Sequence, residues 1–206
     1  MSRPPEILAL QHGRQPDQRE EASRQHALKA FILRSNFRRR CLRVLQQAGP
    51  PDAWLCAGFV RNAVFAVTCA VHSDALDADL DVVYLDARDL RRERDRAYEQ
   101  TLQAHLPAAW SVKNQVRMAQ RNGDAPYRDI TDALAHFPET ATAVAVRLGA
   151  RGLEVAAPYG LADLEAGVIR LSPLGKPQIF AARCAEKRWA QRFPGVRVVH
   201  EGGDVH

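Results

Sequence analysis

The sequence is poor in the residues that would announce a covalent scaffold or a structural metal. It has only four cysteines, Cys41, Cys56, Cys69 and Cys184, and no two of them make a C-x-x-C pair. That spacing argues against a zinc site or a disulfide framework, and three of the four stand in apolar or helical contexts suited to buried free thiols. Aromatic residues amount to 7%, so Trp54, Trp110 and Trp189 read as core rather than as base-stacking platforms. No apolar run approaches the roughly 20 residues of a membrane span, and the first residues, Met1-Ser2-Arg3-Pro4-Pro5, carry no signal-peptide h-region. The expectation is a soluble, cytoplasmic protein with no membrane partner. Internal repeats and low-complexity tracts are also missing.

What is present is enough for a core: 206 residues, 46% of them hydrophobic, suit one domain of moderate size with extensions. The formal charge of +5 would suit a phosphate-bearing partner. Much of that excess lies in Arg34, Arg38, Arg39, Arg40 and Arg43 and in Lys187, Arg188 and Arg192, clusters that read first as solvated helix faces.

The layout alternates α and β. Residues 1–19 are Pro-, Gln- and charge-rich and read as a loosely ordered tail. Residues 20–48 carry Leu28, Phe31, Ile32, Leu42 and Leu45 at helical spacing, as one long helix or two short ones, stopped at Gly49-Pro50-Pro51. The domain proper is expected over residues 52–200. It opens with a short buried strand, Trp54-Leu55-Cys56-Ala57, a turn at Gly58 and an apolar helix from Asn62 to Val71. A charged helix follows from Asp86 to His105. Trp110 to Met118 is ambiguous between strand and helix, and Arg121 to Pro126 is a loop. Asp129 can cap a short helix reaching Phe137. Ala143 to Leu148 and Leu153 to Ala156 flank Gly149-Ala150-Arg151-Gly152, a hairpin signal. A last helix runs from Ile179 to Phe193, stopped by Pro194.

The chemistry concentrates at Asp79-Leu80-Asp81, at the front of the apolar run Val82-Val83-Tyr84-Leu85. Alternate residues of a strand share a face, so the two carboxylates would share one small volume, and such like charges are best accommodated by a cation between them. The economical reading is a divalent metal site. A glycine turn opening a helix presents backbone N–H groups to an anion, so Gly58, with Arg61 on the first helical turn, suits a phosphate. Glu154, between two apolar neighbours in the hairpin, would complete a cage with Asp79 and Asp81. Three carboxylates facing a phosphate-binding turn describe a two-metal phosphoryl or nucleotidyl transfer site. Lys113, Asn114 and Arg117 are further candidates to grip phosphate or a base edge.

Taken together, Ala57-Gly58-Phe59-Val60-Arg61-Asn62, Asp79-Leu80-Asp81 and Leu153-Glu154-Val155 resemble the motifs of the nucleotidyltransferase superfamily that includes DNA polymerase beta and the CCA-adding enzymes. From Trp54 to Pro194 the chain looks still more like a group of small bacterial nucleotidyltransferase-like proteins. That closer likeness rests on Trp110-x-Val-Lys-Asn-Gln-x-Arg-Met118, Pro138-Glu-Thr140 and Ala157-Pro-Tyr-Gly-Leu-x-Asp-Leu164. The resemblance implies an α+β fold, a mixed β-sheet flanked by helices, here with an N-terminal helical extension. It implies Mg²⁺, or Mn²⁺, held by Asp79 and Asp81, with Glu154 as third ligand or general base. Gly58, Phe59, Arg61 and Asn62 would form the nucleotide-binding turn. The substrate would be an NTP, and the acceptor a hydroxyl on a protein, an RNA or a small molecule. Three positions depart from the pattern: the usual glycine pair is Ala57-Gly58, the small polar residue after it is Phe59, and Asn62 replaces the acidic residue of the CCA-adding motif.

Two other classes share parts of this signature. A D-x-D glycosyltransferase would place more strands ahead of Asp79 than the single one evident here. A non-catalytic module of the same fold, binding nucleotide, RNA or a protein partner, is the competing expectation.

Overall fold

The computed structural model describes residues 18–71 and 79–199. Nearly all of the expected N-terminal tail, residues 1–17, therefore lies outside the described residues.

The N-terminal helical segment is two helices, α1 (Gln18–Arg34) and α2 (Asn36–Ala48). Ser35 separates them: its backbone is extended and its hydroxyl accepts from the Arg38 N–H, the arrangement that starts a new helix by occupying an orphan donor. Next come β1 (Trp54–Cys56), α3 (Gly58–Thr68), β2 (Leu80–Tyr84) and α4 (Arg92–His105). The helix foreseen from Asp86 begins only at Arg92, because Asp86 and Asp89 bend the chain back onto the N–H groups of Arg88 and Arg91. Such Asx bonds compete with helix formation.

The ambiguous stretch from Trp110 is both things in succession, β3 (Trp110–Asn114) and α5 (Gln115–Asn122). Asn114 marks the change by accepting from the Val116 N–H as N-cap. Asp129 caps α6 (Ile130–Ala135) through the Asp132 N–H, as expected. The hairpin is β4 (Ala145–Gly149) and β5 (Gly152–Ala156). Beyond it lie α7 (Ala162–Glu165), β6 (Val168–Arg170), α8 (Pro177–Lys187), α9 (Trp189–Arg192) and β7 (Arg197–Val199). The last expected helix is thus two, broken where Arg188 takes a left-handed conformation at φ 46°.

Five strands form a mixed sheet in the order β3-β2-β1-β4-β5, with β2 and β3 parallel and the other pairs antiparallel. The parallel pair is joined by α4, the crossover that parallel neighbours require. β6 and β7 pair separately as a parallel ribbon. Alternation along the strands divides the apolar residues between two faces. Leu80, Val82, Tyr84, Leu55, Val112 and Val146 join the main core with Leu28, Ile32, Leu42 and Leu45 of α1 and α2 and with α3. On the opposite face Cys56, Val83, Ala145 and Ala156 pack under Ile130 and Leu134 of α6. Asp81, two residues before Val83, belongs to this second face, which α6 covers in part and leaves open towards β2 and β3.

Candidate active site

Asp81 stands in β2 with its side chain 29% exposed, and Lys113 Nζ lies 3.3 Å from its Oδ1. The contact follows from register, since parallel pairing sets Val83 opposite Lys113 and Asp81 opposite Ser111. Asp79 is exposed, immediately ahead of the strand and two residues from Asp81. Asp81 lines a cleft of about 270 Å³. Its floor is Cys56, Ala57 and Asp81, and its walls come from α5, the loop before α6, the segment at Pro138 and α8.

The turn at the head of α3 departs from expectation in an informative way. The unusual backbone belongs to Ala57, at φ 51° and ψ −118°, rather than to Gly58. A Cβ in that region costs on the order of 1–3 kcal/mol, and the strain sits against the cleft. The Ala57 carbonyl accepts from the N–H groups of Val60 and Arg61, so the N–H groups of Gly58 and Phe59 are first-turn donors without an intrahelical acceptor. They are suited to an anion.

The side chains of that turn do not face the cleft as a phosphate cradle would require. Phe59 is buried in the main core. Arg61 is 5% exposed, donates to Thr142 Oγ1 at 2.7 Å and to Asn62 Oδ1 at 2.9 Å, and lies over the Trp189 ring at 5.1 Å. Burial pulls its pKa down to about 10. Arg61 and Asn62 thus brace each other inside the fold. Cys56 beneath Asp81 is a buried thiol whose pKa is pushed well up, first by burial and then by the Asp81 charge.

Of the β3 candidates only Lys113 reaches the cleft. Asn114 caps α5 and also binds the Asp86 N–H and the carbonyls of Asp86 and Asp89, tying down the loop before α4. Arg117 pairs with the buried Asp95, which also accepts from the Tyr84 hydroxyl. Asn114 is thus engaged by the backbone of that loop and Arg117 by a buried carboxylate.

Glu154 is not brought to the aspartates. The sheet order puts three strand steps between β2 and β5, about 14 Å at the usual spacing. The Glu154 carboxylate lies over Gly149, where a Cβ would collide with it, and accepts from Arg147 Nε at 2.7 Å. Arg147 in turn pairs with Asp52 and covers Trp54. Among the described residues no three His, Cys, Asp or Glu side chains gather as a metal cage.

Arg183, Asp124, Lys176 and His136 of the cleft carried no signal in the sequence, whereas Glu139 stood in the Pro138-Glu-Thr140 run. Arg183 of α8 binds Glu139, which is 0% exposed, through Nε at 2.6 Å and Nη2 at 3.2 Å. Burial opposes the Arg183 charge, but Glu139 outweighs it and the pKa is raised. At the other end Asp124 gathers the Tyr127 hydroxyl at 2.6 Å, Lys176 at 3.3 Å and His136 at 3.6 Å. Burial opposes the Asp124 charge, yet Tyr127 and Lys176 hold its pKa below the ordinary value. These residues come from four separate segments, so no spacing could have linked them.

A divalent metal fits the aspartate pair in one form only. Mg²⁺ is commonly held by one or two carboxylates and completes its shell with water and substrate phosphate. Asp79 and Asp81 would be the carboxylates of such an open arrangement, and Lys113 already places a cation against Asp81.

A family model described as "Nucleotidyltransferase" matches residues 43–198. An NMR structure reported to reveal a CCA-adding enzyme head domain is 26% identical over 85% of this chain and 95% of that one, with a TM-score of 0.75. A CCA-adding enzyme solved with CTP is 16% identical at a TM-score of 0.50; the match spans 85% of this chain but 43% of that one. No curated protein matches the chain.

Proposed function

The chain belongs to the nucleotidyltransferase family, and from that premise we propose that it transfers a nucleoside monophosphate from an NTP to a hydroxyl acceptor in a Mg²⁺-dependent reaction. The observation that carries this reading is one cleft holding Asp81 of β2, Lys113 of β3 and the strained turn at Ala57. Asp79 and Asp81 would hold the ion. Bound there, Mg²⁺ supplies charge neutralisation at the phosphate oxygens and acidifies a coordinated hydroxyl. The N–H groups of Gly58 and Phe59 donate to phosphate oxygens at the head of α3, with the helix dipole in support. Lys113, half exposed, exchanges Asp81 for a phosphate. The acceptor oxygen forms its bond to the α-phosphorus in line with the bond that breaks, and pyrophosphate leaves.

A second reading is favoured by one observation. With Glu154 bonded to Arg147, the described residues supply two carboxylates rather than three, as a nucleotide-binding module without turnover would. The two readings separate in a transfer screen that uses each α-labelled NTP, Mg²⁺ or Mn²⁺, and a cell extract. The enzyme reading expects label on a discrete acceptor, absent with Asp81→Asn. Tight Mg²⁺-NTP binding with no labelled acceptor would favour the module.

A further inference from the structure

Two guanidiniums share the cleft wall behind Asp81. Arg61 and Arg183 lie over the same Trp189 ring, at 5.1 and 5.9 Å, and among the described residues Glu139 is the fully buried carboxylate beside them. A buried cation without a matching anion is costly, and a bound anion relieves it. The two guanidiniums differ in access. Arg61 is enclosed and bonded to Thr142 and Asn62, whereas Arg183 lines the cleft with Asp81 and Ala57.

We propose that Arg183, rather than Arg61, is the arginine that grips the triphosphate of the NTP, an inference that rests on the nucleotidyltransferase reading of this cleft. Glu139 takes one N–H at Nε and one at Nη2, so the rest of the five-donor fork is left for ligand oxygens. The Glu139 fork and the Trp189 ring fix the guanidinium plane before substrate arrives, and fixed planar donors are what bidentate phosphate recognition needs. The residue lines the cleft from α8, as Lys113 does from β3. The triphosphate is thereby gripped from β3 on one side and α8 on the other.

Removing Arg183 alone would strand Glu139, so the test pairs the substitutions. Calorimetric titrations of the full chain with each NTP and Mg²⁺, and with the matching nucleosides, compare wild type, Glu139→Gln and Glu139→Gln/Arg183→Gln. Circular dichroism checks that each folds. The double variant should bind NTP at least about tenfold more weakly than Glu139→Gln, the loss expected for one charge-assisted fork, with nucleoside affinity unchanged. Equal NTP affinity in the two variants would overturn the assignment while leaving the nucleotidyltransferase reading intact. Wild-type protein that binds no NTP would overturn both. Should the double variant not fold, Arg183→Lys keeps a charge for Glu139 but not the fork. It should lose NTP affinity about threefold or more, and an unchanged value counts against the proposal.

Discussion

Ala57 shows how a single residue carries the tension of this site. Its φ of 51° is one that glycine adopts freely and alanine does not. Ala57→Gly should therefore stabilise the protein by about 1 kcal/mol, the strain relieved less the entropy of an added glycine. Urea unfolding measures it, and a loss of stability would show that the methyl contributes more by packing than it costs in strain. Arg61 makes the opposite case. Arg61→Met should cost about 2–4 kcal/mol, because it leaves Thr142 and Asn62 without their buried donor. Its signature is a lower urea midpoint with NTP affinity retained in the folded fraction; affinity lost without a stability change would return Arg61 to the phosphate site. The strand-to-helix turn at 57–58 was legible in the sequence. Which atoms face the ligand was not legible there, because burial of Arg61 depends on Thr142 and Trp189, far along the chain.

At the scale of elements, the sheet order decides which carboxylates can work together. The alternation of Asp79 and Asp81 is local and could be read directly, as could the hairpin carrying Glu154. The insertion of β1 and β4 between them could not, since strand order is a long-range property that periodicity does not encode. Glu154→Gln should leave turnover within about twofold and stability within about 1 kcal/mol, as for a partly exposed ion pair. A kinetic assay showing a hundredfold loss would instead return Glu154 to the chemistry. The same limit hid the nature of residues 110–122: β3 and α5 meet at Asn114, and only its capping bonds reveal where one period gives way to the other.

Across the whole molecule, Asp124 ties Lys176 and His136 from separate segments beside the cleft, while Asp132 pairs locally with Arg128 at the start of α6. Tyr127 and Lys176 hold Asp124 low, and Arg128 brings Asp132 down to about 2. A depressed carboxylate contributes stability that is complete above its unfolded value, roughly 3.9, and is lost as pH falls through its folded value. Thermal melts should thus show wild type above Asp124→Asn at pH 7, with the gap closing as pH falls below about 4. A gap independent of pH would exclude the ionised carboxylate as its source. The α+β architecture was legible from the alternating layout, whereas the β6-β7 ribbon was not, because its strands are three residues each and pair across α8 and α9.

The central claim is that catalysis runs through Asp79 and Asp81 at the head of β2 and not through the hairpin. Its most direct measurement is the rate of transfer from an α-labelled NTP with Mg²⁺, compared between Asp81→Asn and Glu154→Gln. Asp81→Asn should lose on the order of a thousandfold or more, the several kcal/mol that a metal ligand contributes, while Glu154→Gln stays near wild type. Full activity in Asp81→Asn, or equal loss in both, would contradict the account.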